Sequence, residues 1–139
     1  MTNQLSLLIG TFLLFLAVGC SKNYSLTGTI TFSDDGSPVP DVAVFFTDGK
    51  NVSQGAADKT GKYVVGTLGV KDGIPPGTYK VYIVGAEEIE YEPGPGGISV
   101  TKITPYIQRK YYSAETSGLT FVSDGKTKSF DITLDRYEK

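Results

Sequence analysis

Several of the residue types that most often carry out catalysis are absent or scarce in this sequence. The 139-residue chain has no histidine, no tryptophan and a single cysteine, Cys20. Imidazole catalysis, disulfides and Cys/His zinc cages are therefore excluded within this chain. It carries 13 basic and 15 acidic side chains, and the cations are scattered along the chain. Because no basic stripe is present to neutralise a phosphate backbone, nucleic acid is not an expected partner.

Adjacent carboxylates occur at Asp34-Asp35 and at Glu87-Glu88, inside a wider acidic cluster at 87–92. Paired carboxylates can act as general acid and base. Neighbours on a strand point to opposite faces, however, and carboxylates in turns are usually solvated caps. A calcium loop would need a spaced D-x-D-x-D-G pattern, which the chain lacks. We therefore expect no catalytic residue, no metal site and no cofactor, and we do not expect an enzyme.

The N-terminal segment has the pattern of a targeting signal. Residues 1–21 contain no Asp, Glu, Lys or Arg, and residues 5–18 (LSLLIGTFLLFLAV) are almost wholly apolar. This run is shorter than the roughly 17–25 apolar residues of a membrane-spanning helix and matches the apolar region of a secretory signal. It closes on Ala17-Val18-Gly19 directly before Cys20.

This end resembles the lipobox of bacterial lipoprotein signals, although Ala17 stands where Leu is commonest and the MTNQ start has no Lys or Arg. The resemblance implies a signal peptide at 1–19, a lipid on the Cys20 thiol and a tether at 20–24. The alternatives are an ordinary secretory signal and an uncleaved anchor. Ser21 replaces the Asp that retains such proteins in the inner membrane of enteric bacteria. We therefore expect attachment in the cell envelope, at the outer membrane or cell surface rather than the inner membrane.

The remaining chain alternates with the period of β-strands. After Tyr24, apolar or small residues at 26, 28, 30 and 32 alternate with threonines. The same period recurs at 41–47, from Tyr63, and at 78–85, 119–123 and 129–134. Glycines and prolines lie between these segments, and no window has a sustained helical period. This punctuation predicts an all-β sandwich of about seven strands over residues 25–135, followed by a short tail at 136–139.

Residues 86–110 break this rhythm, with an acidic stretch followed by Pro93-Gly94-Pro95-Gly96-Gly97. We expect a long, mobile loop here, because like charges repel and these residues resist helix and central strand.

Tyrosines are the remaining recognition feature of this region. Tyr91 and Tyr106 are the candidate ligand-binding residues, since tyrosine offers a rigid apolar face with a polar tip. Tyr111 and Tyr112 are expected to pack in the fold.

The motifs LTGTITFSDDGSPVPDVAVFF, AADKTGKYVVGTL, DGIPPGTYKVYIV and PYIQRKYYSAETSGLTFVSDGKTKSFDITL follow one another along the chain. In this order they resemble the bacterial transthyretin-like, or carboxypeptidase regulatory-like, domain found in small lipoproteins of planctomycetes. Asp58 and Gly61 of the second motif can form a turn with a residue at positive φ.

The resemblance implies a prealbumin-like Greek-key sandwich and brings no catalytic residue with it. Transthyretin-scaffold hydrolases of purine-derived ureides use histidines and a C-terminal Tyr-Arg-Gly-Ser, and this chain has neither. We therefore expect a non-catalytic structural or protein-interaction module, held on the membrane by the lipid on Cys20 and contacting an envelope protein or glycan. The alternative is a carbohydrate-binding module that uses the 86–112 segment.

Overall fold

The computed structural model describes residues 22–138. The expected signal peptide at 1–19 and the expected lipid attachment residue Cys20 lie outside the described residues. Regular structure in the described part is almost all strand. The elements are β1 (Thr27–Phe32), β2 (Ala43–Thr47), β3 (Val52–Ala56), β4 (Lys62–Val64), β5 (Gly77–Val84), β6 (Glu87–Gly94), β7 (Gly97–Pro105), a 3-10 helix (Arg109–Tyr112), β8 (Leu119–Ser123) and β9 (Ile132–Leu134).

Seven of these strands form two sheets. One sheet has the order β4-β1-β9 and the other has the order β3-β2-β5-β8. Neighbouring strands are antiparallel except for β1 and β9, which are parallel. Strands β6 and β7 form a separate two-stranded sheet and pair with no other strand of residues 22–138. The expectation of an all-β fold is confirmed. No helix within residues 22–138 has the length and apolar character needed to cross a bilayer.

The hydrophobic core lies between the two sheets and is joined by aromatic contacts. Phe46 of β2 lies against Tyr63 of β4, with ring centroids 6.3 Å apart, and against Phe130, at 6.2 Å. Most of the inward positions predicted from alternation are buried. They are Leu26, Gly28, Ile30, Phe32, Val42, Val44, Phe46, Tyr63, Val65, Tyr79, Val81, Ile83, Ile132 and Leu134. Phe130, also predicted to face inward, is only partly buried and packs against the core.

Gly28 allows a close crossing at the centre of the three-stranded sheet. Tyr63 lies opposite Gly28 in the register of β1 and β4, and its hydroxyl donates a hydrogen bond to the carbonyl of Phe130. A Cβ on residue 28 would lie 2.1 Å from that carbonyl oxygen and 2.6 Å from the Tyr63 hydroxyl. The absence of a side chain therefore lets one tyrosine tie β4, across β1, to the segment that enters β9.

The turn predicted before β4 is present. Gly61 has φ 77°, and its amide donates to the Asp58 carbonyl at 2.9 Å. The Asp58 carboxylate accepts the Thr60 amide at 2.7 Å and the Thr60 hydroxyl at 2.6 Å. Positive φ costs glycine little, which explains the residue type at this position.

The prediction of a long loop at 86–110 was wrong. Strands β6 and β7 fill most of this segment as an antiparallel hairpin, and the 3-10 helix begins at its end. Glycine and proline disfavour a central strand, but a two-stranded hairpin has only edges, where they are tolerated. Gly96 and Gly97 supply its turn with φ of 116° and 132°.

The expected tail at 136–139 is partly built into the fold. Arg136 forms a β-bridge with Ile107, and the amide of Tyr137 donates to the carbonyl of Tyr106 at 3.2 Å.

The crossing at Gly28 gives the first prediction. Gly28→Ala should lower the free energy of unfolding by about 3 kcal/mol, because the added methyl overpacks a site with no room for it. Equilibrium urea unfolding measures this change. Gly94→Ala is the control, since a Cβ there would meet nothing closer than 3.8 Å. A wild-type urea midpoint for Gly28→Ala would show that Tyr63 does not cross β1 at this position.

Candidate functional site

The β6–β7 hairpin is the element whose side chains the fold uses least. Every residue of β6 is exposed, and in β7 only the last two are partly buried. Within residues 22–138 no other strand pairs with it. A lone two-stranded hairpin is marginally stable in water, so this element is a natural candidate for contact with another molecule.

The register of the hairpin gathers its apolar side chains on one face. Directly opposed residues share a face, and successive pairs alternate between faces. Three apolar pairs fall on the same face: Ile89 with Ile103, Tyr91 with Val100, and Pro93 with Ile98. We call these six residues the apolar face.

A β-bulge makes this gathering possible. The register shifts between Glu90 and Tyr91, so Thr101 is the extra residue of β7. Without the shift, Val100 and Ile98 would point to the opposite side from Ile103, because side chains alternate with period two. The bulge therefore brings the unevenly spaced apolar residues of β7 onto a single face.

The apolar face is uncovered. Ile98 is 76% exposed, Tyr91 59% and Ile103 58%. Contiguous exposed apolar surface on a soluble domain commonly marks an interaction site. At its foot the face opens into a cleft of about 500 Å³, lined by Glu87, Ile103, Pro105, Arg109 and Tyr112.

The opposite side of the hairpin, which we call the acidic face, is polar. Glu90 forms an ion pair with Lys102 at 3.1 Å, and both side chains are more than half exposed. Such a pair contributes little to stability because water screens it. Glu88 and Glu92 lie on the same face, opposite Thr104 and Ser99. The hairpin is thus amphipathic, with an acidic face that keeps it hydrated.

Two tyrosines hold the base of the hairpin. The Tyr106 amide donates to the Ala86 carbonyl at 3.0 Å, and its ring meets Phe32 edge-on with centroids 6.4 Å apart. The Tyr112 hydroxyl donates to the same Ala86 carbonyl at 2.7 Å. Burial, with Glu87 nearby, raises the pKa of Tyr112 to about 12. The base is therefore fixed to the sandwich while the strands project from it.

The structure separates the two tyrosines proposed for ligand contact. Tyr106, expected to be free, is half-buried, and its hydroxyl lies 3.3 Å from the Gly85 carbonyl oxygen. Tyr91 stands four residues beyond Glu87, the residue that pairs with Pro105 at the base. At about 3.3 Å per residue the two are on the order of 13 Å apart along the hairpin. They do not form one site, and only Tyr91 belongs to the apolar face.

Asp135 is a structural hub behind the base. It accepts hydrogen bonds from Lys110 at 2.9 Å, Tyr111 at 2.8 Å and Ser33 at 2.8 Å. These bonds, that of Lys110 first, lower the pKa of Asp135 to about 2. The carboxylate therefore joins the 3-10 helix to the end of β1. Tyr111 is buried, as expected for a packing residue.

The adjacent carboxylates Asp34 and Asp35 also hold the fold together. The Arg136 guanidinium donates to Asp34 at 2.7 Å and to Asp35 at 3.0 Å, and its centre lies 3.6 Å from the Phe32 ring centroid. Hydrogen bonds from Ser37 lower the pKa of Asp35 to about 2. Within residues 22–138 no group of three or more His, Cys, Asp or Glu side chains is placed to hold a metal ion.

Sequence reasoning missed four aliphatic members of the apolar face, Ile89, Ile98, Val100 and Ile103. A signal for them exists: Ile89, Tyr91 and Pro93 alternate with glutamates, as in an amphipathic strand. In β7 the spacing changes from two residues to three between Val100 and Ile103, which conceals the strand pattern unless a bulge is allowed.

Comparison with known proteins identifies no family. No family model matches the chain, and no curated protein matches it. One solved structure is similar over 82% of this chain, the crystal structure of a 9R-lipoxygenase from Cyanothece PCC8801 at 2.7 Å. The TM-score is 0.38, the sequence identity is 14%, and the match covers 16% of the lipoxygenase chain.

The hydrogen bonds of Asp135 give the second prediction. The pKa of Asp135 is lowered from 3.8 to about 2 in the folded protein. The ionised carboxylate therefore stabilises the fold above about pH 4, and this stabilisation is lost as the pH falls through about 2. Asp135→Asn should therefore unfold at less urea at neutral pH and lose less stability on acidification.

Urea midpoints measured from neutral pH down to about pH 2 test this expectation. Glu92→Gln is the control, because Glu92 has no hydrogen-bond partner within the described residues. Parallel acid profiles for wild type and Asp135→Asn would contradict the assignment of Asp135 as the hub.

Proposed function

We propose that this protein is a lipid-anchored, non-catalytic interaction module of the cell envelope, in which a transthyretin-like sandwich presents the β6–β7 hairpin to a protein partner. The observation that carries the proposal is the uncovered apolar face of that hairpin, which stands on a base fixed by Tyr106 and Tyr112. A rigid base favours binding because little ordering of the hairpin is required on contact.

The chemistry of the apolar face favours a protein over a carbohydrate. Sugar-binding surfaces depend on aromatic rings, and Tyr91 is the one aromatic residue among the six. The others are aliphatic or proline, whereas the ion pair and the hydroxyls of Ser99 and Thr104 lie on the acidic face. Aliphatic side chains gain most from an apolar protein surface, since they offer no hydrogen bonds to hydroxyl groups.

The charges of the hairpin define the partner further. Four glutamates and one lysine lie on β6 and β7. A partner with an apolar centre and a basic rim would complement both faces. A second copy of this chain would bring two acidic hairpins together, and like charges disfavour that arrangement. We therefore propose a different protein as partner.

The anchor and the fold class rest on separate support. The small residues before Cys20 and its place as the chain's single cysteine support a lipid on that thiol. The division of seven strands into sheets of three and four supports the prealbumin-like class. Ser21 after the cysteine supports the outer membrane or cell surface over the inner membrane.

Site-specific crosslinking tests the role of the hairpin. A photoreactive residue at position 98, on the apolar face, should crosslink one envelope protein, whereas the same residue at position 99, on the acidic face, should not. Tyr91→Ala should weaken binding of the purified partner by about thirtyfold, the effect of losing a central aromatic contact of about 2 kcal/mol.

Ser99→Ala is the matched control, because it alters the neighbouring strand position without changing the apolar face. Equal crosslinking from positions 98 and 99 would contradict binding through the apolar face. Full affinity in the Tyr91→Ala variant, shown to be folded, would contradict it independently.

The anchor has its own test. Cys20→Ser should abolish incorporation of labelled palmitate and leave the sandwich folded, because the thiol is the proposed lipid acceptor and the core lies within residues 22–138. Labelling of whole cells followed by immunoprecipitation measures this. Label equal to wild type in Cys20→Ser would disprove the anchor without affecting the hairpin proposal.

A further inference from the structure

The loop at 66–73 presents two aliphatic side chains almost wholly to solvent. Leu68 is 95% exposed and Val70 is 92% exposed, more than Ile98 of the apolar face at 76%. A single exposed aliphatic residue is ordinary, but two at one loop tip form a local apolar projection. Because exposed aliphatic side chains do not stabilise the folded domain, we look for a ligand or surface outside the domain that they could contact.

The shape of this loop is held by hydrogen bonds. The Asp72 carboxylate accepts the amides of Thr67 at 2.5 Å, Leu68 at 3.1 Å and Gly69 at 2.8 Å. The Thr67 hydroxyl donates to the Gly73 carbonyl at 2.7 Å. The projection of Leu68 and Val70 is thus a feature of an ordered loop, which lowers the entropic cost of binding.

The loop lies beside the point where the chain would leave the membrane. The Tyr24 amide donates to the Ile74 carbonyl at 2.8 Å, and the Ile74 amide donates back to Tyr24 at 2.9 Å. Tyr24 follows Cys20 by four residues. Since an extended residue spans at most about 3.6 Å, a lipid on Cys20 would keep Tyr24 within about 14 Å of the bilayer surface.

We propose that the 66–73 loop docks on the bilayer that carries the anchor, with Leu68 and Val70 entering the boundary between headgroups and acyl chains. This inference rests on the proposed lipid anchor. Two aliphatic side chains give weak affinity alone, but the anchor makes their contact intramolecular and raises their effective concentration at the surface.

The charge around Tyr24 suits an anionic bilayer. The surrounding segments carry two carboxylates, Asp72 and Asp124, whose hydrogen bonds from loop amides lower their pKa and keep them ionised, and four lysines outnumber them. Gly125 packs against the Tyr24 ring, which places the turn that carries Lys126 beside Tyr24. Four lysines lie in these segments and form no ion pair within the described residues: Lys22, Lys71, Lys126 and Lys128. Such lysines attract anionic headgroups.

Docking at this end would direct the hairpin away from the membrane. Strand β5 runs from Gly77, next to the Tyr24–Ile74 bridge, to Val84, just before the hairpin. Eight strand residues span roughly 26 Å. The hairpin, with its four glutamates, would then face outward, where an anionic surface does not repel it.

Tryptophan fluorescence tests the docking, because the natural chain has no tryptophan. The full chain with Leu68→Trp is reconstituted into vesicles of phosphatidylcholine and phosphatidylglycerol with brominated acyl chains. We expect blue-shifted emission quenched by about twofold or more, as for a side chain some 5–10 Å into the interface. Ile98→Trp, on the hairpin, is the matched control and should stay unquenched.

A second pair of variants tests the charges. Lys71→Glu combined with Lys126→Glu should reduce the quenching at position 68, whereas Lys59→Glu, in the turn at the other end of β4, should not.

The outcomes separate this inference from the anchor. If the Leu68→Trp chain floats with the vesicles but its tryptophan is not quenched, the docking is overturned and the anchor is not. Blue-shifted emission without quenching would mean that the loop contacts protein instead of the bilayer. A chain that neither takes up labelled palmitate nor floats overturns both. Quenching at position 68 without palmitate label overturns the anchor and, with it, the proposal that the anchor holds the loop at the bilayer.

Discussion

The three-stranded sheet depends on the contact of Tyr63 with Gly28. Strands β4 and β9 are three residues long, so each has few ladder hydrogen bonds to β1. The Tyr63 side chain compensates by crossing β1 at the glycine and bonding the carbonyl of Phe130 on the far side. Its ring also meets Phe46 of the opposite sheet. One buried side chain thereby fixes both the order of a sheet and its distance from the other.

The hairpin follows a different constraint, since a two-stranded sheet cannot bury its own faces. The sandwich supports it only at the base, through hydrogen bonds from Tyr106 and Tyr112 to the carbonyls of Gly85 and Ala86. Beyond that point the sequence divides its faces into apolar and acidic, and the bulge at Thr101 corrects the spacing of the apolar residues in β7. An element built this way keeps one face hydrated and leaves its apolar face exposed to water.

Most of the sandwich could be predicted because its strands bury one face each, so apolar residues alternate in the sequence. Strand β3 escaped prediction because its inward positions are Ser53 and Gly55, which give no apolar signal. The structure explains why residue 55 is glycine, because a Cβ there would lie 3.0 Å from the Tyr63 ring. For the hairpin, the composition predicted a loop, because glutamate, glycine and proline are common in loops and the pairing of β6 with β7 is not visible in the composition. The packing role of Tyr106 depends on Phe32, remote in sequence, and no local pattern carries it.

The two ends of the domain differ in chemistry, and strand β5 runs from one end to the other. Near Tyr24 the chain offers lysines and the exposed aliphatic tip of the 66–73 loop, and at the far end it offers an acidic hairpin with an apolar face. A sandwich fixes the separation of its ends because its strands are inextensible and its core is close-packed. A lipid anchor at the first end would therefore determine the height of the hairpin above the membrane. The sandwich would then act as a rigid spacer, and internal hydrogen bonds such as those to Asp135 contribute to its rigidity.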